Sequence, residues 1–190
     1  MPGTNPEPPA PSPEPRTRRL FFALWPDDAT RARLAAISAA LPARCGRRVA
    51  TGNLHITLSF LGSVEAARLD CLRRGPDAIR APALTLPLER LGWFRRARVV
   101  WLAPEDAHVP PALIELVGAV NRVVRGCGLE PDGRAWRPHL TLTRKAAKPP
   151  REQAFEPVYW DIREFTLVES VTHDKGPEYR VLARWPLLSA

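Results

Sequence analysis

The four-residue pattern His-x-Thr-Leu occurs twice in the chain, at residues 55–58 and 139–142, each time within alternating apolar and polar residues. Successive side chains of an extended strand point to opposite faces, so such alternation predicts a strand with one buried face. The apolar residues of each copy then face the core. The polar face is predicted to hold His55, Thr57 and Ser59 in the first copy and His139, Thr141 and Thr143 in the second.

The order of the other segments predicts the fold class. Strand-like and helix-like runs follow one another as strand, helix, strand, helix, strands, helix, strands, with loops that allow mostly antiparallel sheets. Asp27 or Asp28 is expected to cap the first helix and Ser63 the second, while residues 108–125 form the longest helix and residues 92–96 a hairpin tip. The sequence therefore predicts an α+β fold. Because the motifs occupy similar points of the two halves, we expect a duplication whose pseudo-twofold axis places both His-Thr faces across one groove.

Composition bounds the rest of the molecule. Residues 1–16 are rich in proline and almost free of large apolar side chains, so a disordered tail is expected before a domain spanning residues 17–190. The formal charge of +8 comes mostly from arginine, which binds phosphate well, although an arginine-rich proteome would give the same charge.

Cys45, Cys71 and Cys127 are widely spaced, so neither a disulfide framework nor a zinc site is expected, and a reducing cytosolic setting is favoured. No apolar run is long enough to span a membrane and no signal peptide is recognisable.

Two histidines facing one substrate suit phosphodiester hydrolysis. One imidazole takes a proton from the attacking water while the other gives a proton to the departing oxygen. Thr57 and Thr141 are placed to donate hydrogen bonds to the phosphate oxygens. Arg144 ends the second strand and is a further phosphate ligand, although strict alternation puts its side chain on the other face.

Simpler interpretations exist for these residues. A single His-x-Thr is usually an ordinary part of an amphipathic strand, but two identical contexts among four histidines favour a functional pair. A metal site would need a third ligand, and neither motif carries an acidic partner, so no metal or cofactor is expected. His108 and His173 are interpreted as surface residues.

The paired motifs and their surroundings resemble the 2H phosphoesterase superfamily, and in particular the LigT-like RNA 2′,3′-cyclic phosphodiesterases of bacteria and archaea. The resemblance covers about residues 18–188, and its matching segments are 19–23, 53–62, 91–94, 98–101, 138–144 and 179–182. It implies two lobes, each an antiparallel sheet backed by helices, around a central groove with both motifs at its floor.

The resemblance also implies an activity and residue roles. The activity is metal-independent opening of a 2′,3′-cyclic phosphate at an RNA end to leave a 2′-phosphate. His55 would donate the proton to the leaving 3′ oxygen and His139 would activate water, while Thr57, Thr141 and Arg144 would hold the phosphate. The sequence itself is nearly symmetric and does not distinguish acid from base.

Some features of the resemblance leave the substrate open. Arg48 and Arg95 stand where the family commonly has tryptophan and proline, so base stacking falls to Trp93, Phe94 or Trp136, with core packing as the alternative for the first two. Joining or cleavage of 2′-5′-linked oligonucleotides and a non-catalytic RNA-binding module are the alternative functions. We expect a cytoplasmic monomer that binds RNA and no membrane.

Overall fold

A computed structural model describes residues 17–150, 155–173 and 176–189. The predicted tail at residues 1–16 lies outside the described residues. The strands, in chain order, are β1 (Thr17–Leu24), β2 (Arg47–Arg48), β3 (Ile56–Glu65), β4 (Leu84–Leu88), β5 (Arg90–Phe94), β6 (Val99–Ala103), β7 (Leu140–Arg144), β8 (Val158–Ile162), β9 (Glu164–His173) and β10 (Gly176–Pro186). The helices are α1 (Asp28–Ala40), α2 (Leu69–Arg74) and α3 (Pro111–Gly126).

The two motif strands lie side by side at the centre of the main sheet. Its strand order is β10-β9-β1-β3-β7-β6-β5, with β2 also paired to β7, and β4 and β8 form a separate two-stranded sheet. All the named pairings are antiparallel. Strands β3 and β7 are paired at one position, Ile56 opposite Leu140. The main sheet is therefore two antiparallel half-sheets joined edge to edge, which confirms the predicted α+β class with two halves.

The join between the half-sheets also marks the pseudo-twofold axis. Ile56 and Leu140 hold the same place in the two copies of the motif, and each is the other's partner across the join. The halves are not consecutive in sequence, however. Strands β9 and β10, near the end of the chain, complete the half-sheet that contains the first motif.

One face of the main sheet carries the principal core. Side chains from α1, α3 and the small sheet cover this face. The apolar stripe predicted for the long helix is confirmed, since Leu113, Leu116, Val117, Val120 and Val124 are all buried. Burial of apolar side chains is worth roughly 1.5–3 kcal/mol each, so this face supplies most of the stability and leaves the opposite face for a site.

Local signals predicted some element boundaries and not others. Asp27 caps α1, because its carboxylate accepts a hydrogen bond from the Thr30 amide at 2.7 Å. The predicted cap at Ser63 is wrong, since pairing with β1 extends β3 to Glu65. The hairpin tip also lies later than predicted, at residues 95–98, because Gly92 belongs to β5 and pairs with Trp101.

The cysteine prediction is wrong for two of the three residues. Cys71 in α2 and Cys127, directly after α3, form a disulfide with their Cα atoms 5.7 Å apart. Their sequence separation of 56 residues carries no sign that the two helix ends approach one another. Cys45 is free and buried.

Within the described part of the chain, no helix is both long and apolar enough to cross a bilayer.

Candidate active site

The join between β3 and β7 brings the four predicted motif residues together. Ile56 and Leu140 are fully buried in the core, so the residues on either side of them face the opposite surface. Continuing the antiparallel register by one residue each way sets His55 opposite Thr141 and Thr57 opposite His139. Of these two expected pairs, His55 and Thr141 line one cavity together.

His55 stands among three aromatic rings. Its ring centroid lies 4.9 Å from that of Phe21, 5.2 Å from that of Tyr179 and 5.6 Å from that of Trp25, which stacks on it. The Nδ1 atom is 2.7 Å from the backbone oxygen of Asn53. Because a carbonyl oxygen only accepts, Nδ1 carries the hydrogen and Nε2 of the neutral ring has a free lone pair.

His139 makes the same backbone bond with fewer neighbours. Its Nδ1 is 2.8 Å from the oxygen of Arg137, again two residues earlier in the chain. Phe94 packs edge-on against the ring, with centroids 5.1 Å apart. Both motifs therefore fix the same tautomer and leave Nε2 available for proton transfer.

Burial makes both imidazoles weaker bases than free histidine. It lowers the pKa of His55 to about 4, and the positive charges of Arg144 and His139 act in the same direction. Burial is also the main cause that lowers the pKa of His139, followed in the same direction by the charge of Arg144. The lowered pKa values favour the neutral form of both rings in the free protein, and a bound anion favours the protonated form.

Each motif contains a β-bulge at its fourth residue. Opposite β1, Thr57 and Ser59 pair with consecutive residues, which leaves Leu58 as an extra residue. Opposite β6, Thr141 and Thr143 pair in the same way, which leaves Leu142 as the extra residue. A bulge reverses the alternation of the residues that follow it.

The bulges correct one prediction and explain another. Ser59 and Thr143, predicted on the polar face, are 5% and 1% exposed because the bulge turns them inward. The same reversal turns Arg144 outward, onto the face that carries His55 and Thr141. Phe60 holds the equivalent position in the first copy, where it is exposed beneath the guanidinium of Arg19, 4.8 Å from the ring centroid.

The predicted residues are divided between two cavities. His55, Thr141 and Arg144 line a cavity of about 250 Å³. His139 lines the second, of about 670 Å³, together with Phe94 and Trp136. Thr57 is not among the lining residues of either cavity.

Sequence reasoning missed the residues that surround and connect the motifs. The enclosure of His55 by Phe21, Trp25 and Tyr179 had no local signal, since these residues come from β1, the turn after it and β10. Trp136, considered only for base stacking, donates its indole hydrogen to the Thr57 carbonyl at 2.9 Å and so links the two half-sheets. Trp93 packs against the core rather than lining either cavity.

Among the residues that the structure describes, no three His, Cys, Asp or Glu side chains are grouped to hold a metal ion.

Comparison with known proteins places the chain in a family. The family model described as the 2′-5′ RNA ligase superfamily matches residues 23–174. The chain belongs to the 2′-5′ RNA ligase superfamily. The resemblance to 2H phosphoesterases is thereby confirmed.

Members of the superfamily match over nearly their full length. The RNA 2′,3′-cyclic phosphodiesterase of Escherichia coli is 35% identical over 90% of this chain and 97% of its own. The enzyme of the same description from Thermus thermophilus is 31% identical over 89% of this chain and 90% of its own. The apo crystal structure of Escherichia coli LigT superposes with a TM-score of 0.80 at 33% identity, covering 91% of this chain and 99% of LigT.

Proposed function

We propose that this protein hydrolyses the 2′,3′-cyclic phosphate at an RNA end to a 2′-phosphomonoester without a metal ion. The observation that carries the proposal is the pairing of the two motif strands at Ile56 and Leu140, which puts two imidazoles with free Nε2 atoms on the same face of the sheet. The names of the curated relatives support the same substrate class.

The proposed reaction transfers one proton at each imidazole. Nε2 of His139 takes a proton from water as the water oxygen bonds to phosphorus. Nε2 of His55 gives its proton to the 3′ oxygen as the bond between phosphorus and that oxygen breaks. His139 ends protonated and His55 neutral, and a proton exchange with solvent restores the pair.

The donor role of His55 depends on the substrate charge. With a pKa of about 4 in the free protein, this ring carries almost no proton at pH 7. A phosphodiester anion bound beside it favours the imidazolium and offsets the repulsion from Arg144. Substrate binding therefore generates the acid.

Thr57, Thr141 and Arg144 are proposed to hold the non-bridging phosphate oxygens. Thr141 and Arg144 line the same cavity as His55. Thr57 completes the set from the opposite strand, beside His139. Hydrogen bonds and a guanidinium aimed at these oxygens stabilise the charge that builds up in the transition state.

The test is an oligoribonucleotide with a 2′,3′-cyclic phosphate end, incubated with the protein in EDTA and analysed by mass spectrometry and phosphorus NMR. We expect addition of one water and a product carrying a 2′-phosphate. The double variant His55→Ala, His139→Ala should have no measurable turnover, whereas His108→Ala, whose ring pairs with Glu89 and lines neither cavity, should keep it. Full activity in the double variant, or complete loss in EDTA, would contradict the proposal.

A second candidate reaction follows from the family description, which names RNA ligation. In this reaction the 5′ hydroxyl of a second oligonucleotide replaces water as the nucleophile, so the same two proton transfers would form a 2′-5′ bond. Supplying a 5′-hydroxyl oligonucleotide and measuring ligated against hydrolysed product separates the two reactions.

We further propose RNA as the physiological partner, a monomeric active form and a cytoplasmic location. The disulfide Cys71–Cys127 is the feature that argues against a reducing compartment. Light scattering tests the monomeric form, and thiol labelling of protein taken directly from cells tests whether the disulfide forms there.

A further inference from the structure

Two arginines face each other at the mouth of the cavity that contains His55. Arg47 in β2 pairs directly with Arg144 in β7, so their side chains leave the sheet on the same face. Like charges directly opposite one another destabilise a sheet. Such a pair is stable where an anion can lie between the two guanidinium groups.

The surroundings leave both guanidinium groups available to a ligand. Arg47 and Arg144 are exposed and line the cavity, and neither has a hydrogen bond or ion pair with another described residue. Arg48, beside them, is different, because it donates to the carbonyls at the end of α1. Among the described residues that line this cavity, none is Asp or Glu.

The backbone holds Arg47 in place. Gly46 has a φ of +95°, and a side chain there would come within 2.3 Å of the Arg144 carbonyl oxygen. This tight turn sets β2 against β7. The Arg47 guanidinium then extends toward β10, where its Nη2 lies 4.0 Å from the position that a Cβ of Gly176 would take. Arg47 therefore reaches from one half-sheet to the other beside the reaction site.

We propose that Arg47 and Arg144 bind a second phosphate of the substrate, the phosphodiester next to the cyclic end. The inference rests on the proposed function, in which the cyclic phosphate itself occupies the space between His55 and His139. A guanidinium has five donor hydrogens, so Arg144 can contact both phosphates while Arg47 contacts the second. The preferred substrate class is then an RNA strand rather than a 2′,3′-cyclic mononucleotide.

The test measures equilibrium binding of product-like ligands, which needs no turnover. The probe is a dye-labelled trinucleotide with a 2′-phosphate end, compared with the same trinucleotide whose last linkage is an uncharged methylphosphonate. In the wild-type protein the uncharged linkage should weaken binding about tenfold, as expected for loss of a charge-assisted hydrogen-bonded pair. In Arg47→Ala the two ligands should bind within about twofold of each other, and Arg47→Lys should fall between.

Arg125→Ala is the matched control, because it removes one exposed positive charge at the end of α3. It should keep the wild-type preference for the charged linkage. The slope of log Kd against log salt should decrease by about 0.7 in Arg47→Ala and stay unchanged in Arg125→Ala.

Two outcomes would overturn the second-phosphate site. One is an unchanged linkage preference in Arg47→Ala. The other is an equal loss of affinity for the trinucleotide and for a nucleoside 2′-phosphate, which would assign Arg47 to the reacting phosphate. The proposed function alone would fail if wild-type protein hydrolysed neither a 2′,3′-cyclic oligonucleotide nor a 2′,3′-cyclic mononucleotide. In that case an Arg47-dependent linkage preference would still support the second-phosphate site.

Discussion

The two half-sheets have the same backbone arrangement around the motif. They differ in the side chains that surround each histidine. Each has the motif, a bulge at the same leucine, and an imidazole bonded to the carbonyl two residues earlier. Three aromatic rings surround His55, whereas one ring contacts His139. The repeated sequence therefore fixes the tautomer of each imidazole and the face of the sheet to which it points. The neighbours that are not repeated make the two histidines chemically different.

The residues that follow the two bulges also differ between the half-sheets. Phe60 stands where the second copy has Arg144, so at this position only the second half-sheet places a positive charge in the cavity that contains His55. Ser59 and Thr143 are both buried at equivalent positions, but only the threonine has a hydrogen-bond partner among the described residues. Substitutions at matched positions can therefore separate the contribution of the repeat from that of its surroundings.

The largest expected effect is loss of turnover in the single variants His55→Ala and His139→Ala. Each should lower kcat by about 10² to 10⁴, the usual contribution of a general acid or base. If the roles differ as proposed, His139→Ala should remove the acidic limb of the pH profile of kcat, and His55→Ala the basic limb. Loss of the same limb in both variants would show that the surroundings do not divide the roles.

The next effect is on stability below neutral pH. Because the pKa of His55 falls from about 6.5 unfolded to about 4 folded, the unfolded chain binds more protons between these values. The contribution of His55 to the free energy of unfolding is therefore fully present above pH 6.5 and is lost as the pH falls through 4. The loss amounts to roughly 3 kcal/mol.

Urea unfolding at several pH values measures this contribution. Wild-type protein should lose stability steeply from pH 6.5 to 4, and His55→Gln should lose much less. His139→Gln should reduce the slope in the same direction but by less, because its ring has fewer neighbours. Identical slopes in both variants would contradict the difference in burial.

A smaller effect is expected from the residues that follow the bulges. Arg144→Ala should lower kcat/KM for a 2′,3′-cyclic mononucleotide by about ten- to a hundredfold, through loss of a charge-assisted hydrogen bond to phosphate. Phe60→Ala, at the equivalent position, should stay within about twofold for this substrate. Equal losses would mean that both half-sheets contact the phosphate at this position.

The smallest effect is expected for the two buried hydroxyl groups at equivalent positions, those of Thr143 and Ser59. Thr143 donates to the Cys45 carbonyl, so Thr143→Val should destabilise the fold by about 1–2 kcal/mol by leaving that oxygen unpaired. The Ser59 hydroxyl is buried without a partner among the described residues, so Ser59→Ala should be neutral or slightly stabilising. Thermal unfolding of the two variants provides the comparison, and a larger loss for Ser59→Ala would contradict it.

Short-range patterns predicted much of this molecule. Alternation identified β3 and β7, and helical spacing identified the buried stripe of α3, because both patterns report burial of one face. The motif residues His55 and His139 followed from repetition alone. The side of Arg144 was not predictable by alternation, since the bulge at Leu142 appears only when the partner strand is known.

Long-range contacts account for what the sequence did not reveal. The Cys71–Cys127 bond, the enclosure of His55 by Tyr179 and the Arg47–Arg144 pair each join residues far apart in the chain. No single-sequence pattern encodes these approaches, because they depend on how α2 lies against the end of α3, how β10 joins the first half-sheet and how β2 pairs with β7.

The single pair Ile56–Leu140 has a mechanical consequence. With one paired position and the Trp136 contact across the join, few backbone hydrogen bonds resist rotation of one half-sheet relative to the other. Each imidazole moves with its own half-sheet and keeps its own carbonyl bond during such a rotation. The distance between the two imidazoles therefore depends mainly on the side chains packed beneath the join.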